Sequence, residues 1–198
     1  MMNLTLLLVS LAVGTETADQ KNTYTVNASE STIQWYGGNA VGKTHEGTLS
    51  FANGSLEVSG GKVTGGSLNV DMNSMTCTDL SDGMADKLVG HLKSDDFFSV
   101  ESNPTAGLVI KKIGKGENGA AQITAALTIK GKTEEVTFPA LVKIDGDNLL
   151  ATADLTFDRS KFDVRYGSDS FFDNLGDKAI KNEIKVSVKL KASKAAGI

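Results

Sequence analysis

The second half of this chain alternates apolar and polar residues with a period of two, and nothing else in the sequence constrains the fold as much. Ile123, Ala125, Leu127 and Ile129 alternate with Thr124, Ala126, Thr128 and Lys130. Val136, Phe138, Ala140, Val142 and Ile144 alternate with Thr137, Pro139, Leu141 and Lys143. The same rhythm returns in Ala151, Ala153, Leu155 and Phe157, and again in Ile184, Val186, Val188 and Leu190. Successive strand residues point to opposite faces, so each stretch predicts an antiparallel strand with one face on a core and one in water. The first half is patterned more weakly: Ile33 with Trp35, Leu49 with Phe51, and Leu68 with Val70 and Met72. Turn signals punctuate the strands at Asn53-Gly54, Gly60-Gly61, Gly65-Gly66, Gly131-Lys132 and Asp145-Gly146, where positive φ is easily reached. Pro139 falls on the outward phase of its strand and predicts an edge or a bulge there.

Two segments break the rhythm. Asp82 is placed to cap a helix over 83–93, with Met84, Leu88 and Leu92 on one face and Lys87, His91 and Lys93 toward the C-terminal end. The helix reads as a lid or plug at one end of the strands. The stretch 158–182, with Phe162, Tyr166, Phe171 and Phe172, is too long for a hairpin loop. Eight or more strands in one domain mean a two-sheet sandwich or a closed barrel, and periodicity does not separate them. A barrel of about eight strands is just wide enough to fill itself or to hold one small ligand.

Composition excludes some partners. With 24 acidic against 20 basic residues, a net charge of −4 and a pI near 5.2, the chain lacks the basic surface that nucleic acid or an anionic bilayer selects. Cys77 is the single cysteine, so no intrachain disulfide forms. Leu4, Leu6, Leu7, Leu8, Val9, Leu11 and Val13 make an apolar run of signal-peptide length, too short to span a bilayer. Met1, Met2 and Asn3 ahead of it carry no basic residue, which is atypical of a signal peptide. The expected organisation is a signal peptide over 1–14, a short linker over 15–22, a barrel domain over 23–193 and a tail over 194–198. The expected location is the periplasm or the outside of the cell, without stable membrane insertion.

Three spaced motifs carry a resemblance. His91-Leu92-Lys93-Ser94-Asp95-Asp96-Phe97-Phe98, followed by Asn103-Pro104-Thr105, is similar to the "HL-x-S-x-x-FF…P" signature of the YceI-like family. Leu127-Thr128-Ile129-Lys130-Gly131-Lys132-Thr133 resembles its "LTI-x-G-x-T" hairpin, and Arg159-Ser160-Lys161-Phe162 its "R-x-x-F" segment. Tyr24-Thr25-Val26 and Ser31-Thr32-Ile33-Gln34-Trp35 fit its first two strands. The resemblance implies an all-β, extended antiparallel, lipocalin-like barrel with one helix near an end. It also implies a periplasmic or secreted protein that binds polyisoprenoid-type lipids in a long apolar pore. The family often has an Arg-Asp pair before the His-Leu; Leu88-Val89-Gly90 stands there instead, so head-group recognition by that turn does not carry over.

No catalytic constellation is visible. His45 and His91 lie in separate segments, no Gly-x-Ser-x-Gly elbow exists, and Cys77 has no motif around it and reads as a small residue at a strand end. Neither an i,i+4 histidine pair nor a C-x-x-C pair occurs, and a site from His45, His91 and Asp95 or Asp96 would need two distant segments to converge, so no metal site is expected, and no cofactor beyond a bound lipid. The expected tail contacts are Trp35, Phe51, Leu68, Met72, Leu88, Leu92, Leu108, Ile110, Leu127, Phe138 and Phe157. Small inward residues, Ala125, Ala140, Ala151, Ala153 and Gly47, leave room beside them, and the predicted interior holds no charge. For the head group the candidates are Arg159, Lys161 and Arg165, with local pairing to Asp158, Asp163 or Asp173 as the competing reading. The expected partner is a long-chain amphiphile such as a polyisoprenoid or a quinone. The alternative is a self-filled barrel acting as a protein-interaction module at the cell envelope; dimerisation through an edge strand is left open.

Overall fold

The computed structural model describes residues 20–196, and the expected signal peptide over 1–14 lies outside them. The strands are β1 (Asn22–Val26), β2 (Thr32–Gly38), β3 (Thr44–Ser59), β4 (Lys62–Asp71), β5 (Thr105–Lys115), β6 (Ala121–Ile129), β7 (Lys132–Asp145), β8 (Asn148–Asp158) and β9 (Glu183–Lys194). All pairings are antiparallel, in the order β1-β3-β2-β9-β8-β7-β6-β5-β4, and β3 closes back on β4. The sandwich-or-barrel question is thereby answered by ring closure. β1 runs along the second half of β3 and β2 along its first half, and both also pair with β9. The two segments therefore share one position in the wall, separated by the single turn Ala28–Glu30, and nine strands make an eight-position barrel.

The single α-helix, α1 (Asp82–Lys93), lies in the β4–β5 connection, with Ser81 rather than Asp82 at its N-cap. It shares its end of the barrel with the β2–β3 turn, the β6–β7 turn and the long β8–β9 connection, and we call this the helix end. The opposite, hairpin end carries the β3–β4, β5–β6 and β7–β8 turns.

Two of the expected turns are not turns. Asn53-Gly54 lies inside β3, where Ala52 is an extra residue: Phe51 faces Val70 but Asn53 faces Asn69. The bulge switches the inward phase from Gly47, Leu49 and Phe51 to Gly54, Leu56 and Val58, and the broken alternation reads like a turn. Gly65-Gly66 lies inside β4 beside a second bulge at Thr64, and Gly66 takes φ +147. A third bulge, at Lys111, moves the inward phase of β5 from Ile110 to Ile113. Pro139 stands where the β7–β8 ladder stops, one residue before the Ala140–Ala153 pair, so its missing N–H costs no ladder bond.

The ladder thus has two gaps. Between β7 and β8 pairing covers only Ala140–Asp145 with Asn148–Ala153, and the helix-end halves part. The segment after β8 supplies side chains there: Phe162 and Val164 are buried in the same cluster as Phe138, Leu155 and Ile123. Between β4 and β5 pairing covers only Ser67–Asp71 with Thr105–Val109, and the hairpin-end halves part. A second cluster, with Tyr24, Val26, Leu56, Val58, Leu149, Leu190 and Ala192, fills the β1–β3–β9 side of the barrel.

Gly47 differs from the other small inward residues. A Cβ there would meet the carbonyl oxygen of Thr76 at 1.8 Å and the Trp35 ring at 2.7 Å. The strand and the segment after β4 lie backbone on backbone, held by Thr76 N–H donating to Thr48 O and Thr78 N–H to Glu46 O. Gly47→Ala is therefore expected to cost about 2–3 kcal/mol by forcing that segment outward. Urea denaturation checks this, and a loss under about 0.5 kcal/mol would show that the contact yields freely.

Candidate functional site

The inward side chains leave two cavities between them. The first, about 370 Å³, lies toward the helix end. Its wall is Trp35, Phe51, Met72, Leu127 and Phe157 from the strands, with Leu88, His91, Leu92, Phe97 and Phe98 from α1 and the residues after it. The second, about 930 Å³, lies toward the hairpin end, between Ile110, Ile123, Phe138, Ala140, Ala151 and Leu190. Leu68, Leu108, Leu155 and Val188 line both. The two cavities therefore adjoin at these four residues, which we call the waist. Each expected tail contact lines one chamber or the other, and each chamber falls in the size range of small-molecule sites. With twelve residues in β9, about 3.3 Å of rise each and a tilt near 40°, the wall is roughly 30 Å deep.

Sequence reasoning missed the polar groups of the helix-end chamber. Asn39, Lys43 and His45 stand on its rim. His45 Nδ1 lies 2.8 Å from Asp79 Oδ2, while Asp79 Oδ1 accepts from the Glu46 N–H at 3.0 Å and from Cys77 Sγ at 3.2 Å. Burial pushes the Asp79 carboxyl up, but the Glu46 N–H, His45 and the Cys77 thiol outweigh it and hold it at about 2. Burial and the Asp79 hydrogen bond push the Cys77 thiol up. A thiol that donates to a carboxylate is the reverse of an activated nucleophile. These contacts tie the segment after β4 to β3. Deeper in, His91 packs edge-on against Phe97 and Tyr166, with ring centroids 5.7 and 4.4 Å away. Its Nε2 is buried with no hydrogen-bond partner among the described residues.

The three residues expected at a head group do other work in the fold, and none lines either chamber. Arg159 is fully buried. Its Nε donates to Lys181 O at 3.1 Å, Nη1 to Val164 O at 2.8 Å and Nη2 to Ile180 O at 3.0 Å. The guanidinium also lies 5.2 Å from the Phe97 ring centroid, and burial lowers its pKa. One cation thus gathers the 159–164 turn, the residues just before β9 and the segment after α1. Arg165 pairs with Asp163 at 2.5 Å and stacks over Phe171, one of the expected local pairings, and Lys161 is exposed. Among the described residues no cluster of His, Cys, Asp or Glu is arranged to hold a metal ion.

The YceI-like domain model matches residues 24–192, which are the barrel from β1 to β9. The chain belongs to the YceI-like family. A UPF0312 protein of Shewanella denitrificans is 34% identical over 100 residues, half of this chain and 48% of that one, so the match spans about half the length of that relative. Among solved structures, Burkholderia cenocepacia BcnA superposes with a TM-score of 0.68 at 24% identity, over 85% of this chain and 99% of its own. A polyisoprenoid-binding domain from Saccharophagus degradans, implicated in plant cell wall breakdown, gives 0.63 at 14% identity, over 87% and 98%. A Campylobacter jejuni YceI protein gives 0.52 at 19%, over 69% and 75%. These likenesses are of fold. The YceI-like motifs now have physical roles: the His-Leu places His91 and Leu92 on the chamber wall, the paired Phe residues roof it, and the Arg of the last motif is Arg159.

Two predictions follow from these polar contacts. Arg159→Leu strands buried carbonyls and is expected to cost about 3 kcal/mol or more in urea denaturation, with Arg159→Lys recovering only part; a loss under 1 kcal/mol would contradict the role. Asp79 is held below its unfolded value near 4, so its contribution is present above about pH 4 and fades as pH falls through 2. Asp79→Asn should therefore be less stable at pH 7, by no more than about 2 kcal/mol, with the gap closing toward pH 2. A gap that does not change with pH would mean the carboxylate charge is irrelevant.

Proposed function

We propose that this protein is a non-catalytic carrier that shields a long-chain, isoprenoid-type amphiphile inside its barrel. The observation that supports the reading is a pair of largely apolar chambers inside one barrel, which share Leu68, Leu108, Leu155 and Val188 in their walls. Each buried methylene-sized unit contributes about 0.8 kcal/mol, so a chain running through both chambers gains more than its ordering costs. An extended chain suits this space better than a compact ring system, because the space is divided between two chambers along a wall roughly 30 Å deep. Membership of the YceI-like family, and a neighbour described as a polyisoprenoid-binding domain, agree with it. The self-filled alternative fares worse, because chambers of this size are not what a packed core leaves.

The carrier works in the periplasm or outside the cell, in keeping with the apolar run over 4–13. No helix among the described residues is long and apolar enough to cross a membrane. The outward phase of β9 carries Lys185, Ser187, Lys189 and Lys191, groups that are costly against lipid tails. The ligand, rather than the protein, is then what leaves the membrane.

Native mass spectrometry of the protein from its own host, followed by extraction, is expected to release a stoichiometric long-chain lipid. Leu108→Trp places an indole at the waist. It is expected to weaken binding of a C20 or longer prenyl alcohol at least about tenfold, or 1.4 kcal/mol, while sparing a C10 one. Equal loss for both lengths would argue that the chambers do not act as one tube, and a wild-type protein that takes up neither would end the carrier reading.

A further inference from the structure

Whereas Phe162 and Val164 are buried beside the β7–β8 gap, the hairpin-end gap between β4 and β5 borders the second chamber. Its two edges are Lys62–Gly66 and Ile110–Lys115, which share no ladder pairing. The cause lies in both strands: the Thr64 bulge with Gly66 at φ +147 turns β4 away on one side, and the Lys111 bulge turns β5 away on the other. Residues from both unpaired edges line the larger chamber, so the gap is an opening in its side wall.

The charges around this opening are one-sided. Lys62, Lys111, Lys112 and Lys115 all line the chamber, and no Asp or Glu does. Among the described residues none of the four is in an ion pair, and none donates a side-chain hydrogen bond. The carboxylate of the neighbouring strand, Glu57, is taken by Lys21 at 3.0 Å. In a chain of net charge −4, four unpartnered ammonium groups beside an apolar chamber form a local positive potential next to a hydrophobic path. Lysines also blunt exposed strand edges, but that purpose asks only for charge on the edge and not for a chamber behind it.

We infer that the β4–β5 gap is the lateral mouth of the tube, and that Lys62, Lys111, Lys112 and Lys115 hold there the anionic head group of the carried amphiphile. The inference rests on the carrier reading and adds ligand chemistry and direction to it. The head is a phosphate, pyrophosphate or carboxylate, met by mobile point charges that tolerate variation in the head. The tail runs inward past the waist to the chamber under α1, whose wall is apolar apart from His91 and the rim. The tail enters by parting two edges that are already unpaired, so loading breaks no ladder hydrogen bonds.

The test compares a C20 prenyl monophosphate with the C20 prenyl alcohol on the full chain, at low and high salt. The wild type is expected to bind the phosphate at least tenfold more tightly at low salt, with the preference shrinking as salt rises. A variant carrying K62Q, K111Q, K112Q and K115Q is expected to lose that preference and keep its affinity for the alcohol. The corresponding set of arginine substitutions is expected to restore it. Inorganic phosphate at millimolar concentration is expected not to displace the prenyl phosphate, since the head is held only with its tail in the tube. Equal affinity for both lipids, or an unchanged preference in the glutamine variant, overturns the inference while alcohol binding leaves the carrier intact. A glutamine variant that loses only its sedimentation with phosphatidylglycerol vesicles also overturns it, in favour of a surface that docks membranes. If the wild type binds neither lipid, both readings fall together.

Discussion

Closure of the backbone ladder is the constraint on which everything else in this molecule rests. Pairing β3 with β4 joins the first and last positions of an antiparallel ring, and the strands then tilt around a common axis and enclose a volume. Inward side chains form two buried clusters that do not fill the enclosed volume, and the interior keeps chambers beside its packed core. The closure is also incomplete in an instructive way. Bulges, which adjust each strand's phase and curvature, and Pro139, which lacks a donor, concentrate the missing pairings into two gaps at opposite ends.

The two gaps are treated differently, and that asymmetry organises the site. At the helix end the chain turns back after β8 and sends Phe162 and Val164 into the barrel, with Arg159 fastening the turn to three carbonyls. A buried guanidinium is expensive to desolvate, and it is tolerated here because each of its donor nitrogens meets an oxygen and its face meets Phe97. The same end gains α1 as a roof and the Asp79 contacts as a clasp for the segment before it. At the hairpin end the connections are short and contribute no side chains of comparable size, so the β4–β5 edges remain open. With the β4–β5 gap as the proposed mouth, the interior has a direction, apolar at depth and cationic at its opening.

The charges follow the same logic. The sequence reading expected an interior without charge, yet cationic side chains line both chambers: Lys43 with His45 at one end, and Lys62, Lys111, Lys112 and Lys115 at the other. Arginines and lysines in a long irregular segment resembled a head-group cluster, yet Arg159 serves carbonyls and Arg165 serves Asp163. A cation's partner depends on which chain segment folds over it, and spacing along the sequence carries little of that information.

What the sequence determined by itself was the class of fold and the identity of the apolar wall. In β6 through β9 the period-two pattern runs unbroken, because no bulge interrupts those strands and each inward residue keeps its parity, as Ile123, Ala125, Leu127 and Ile129 do. The family motifs likewise marked His91, Phe97 and Arg159 as special without saying why. Only the tertiary structure decided the rest. In β3, β4 and β5 the parity flips at Ala52, Thr64 and Lys111, so Asn53-Gly54 and Gly65-Gly66 looked like turns although they are bulges inside strands. Barrel against sandwich, the waist at Leu108, the job of Arg159 and the lysine-flanked gap all depend on which strands become neighbours. Local patterning reports which way a side chain points, whereas strand neighbours are chosen by closure of the whole ring.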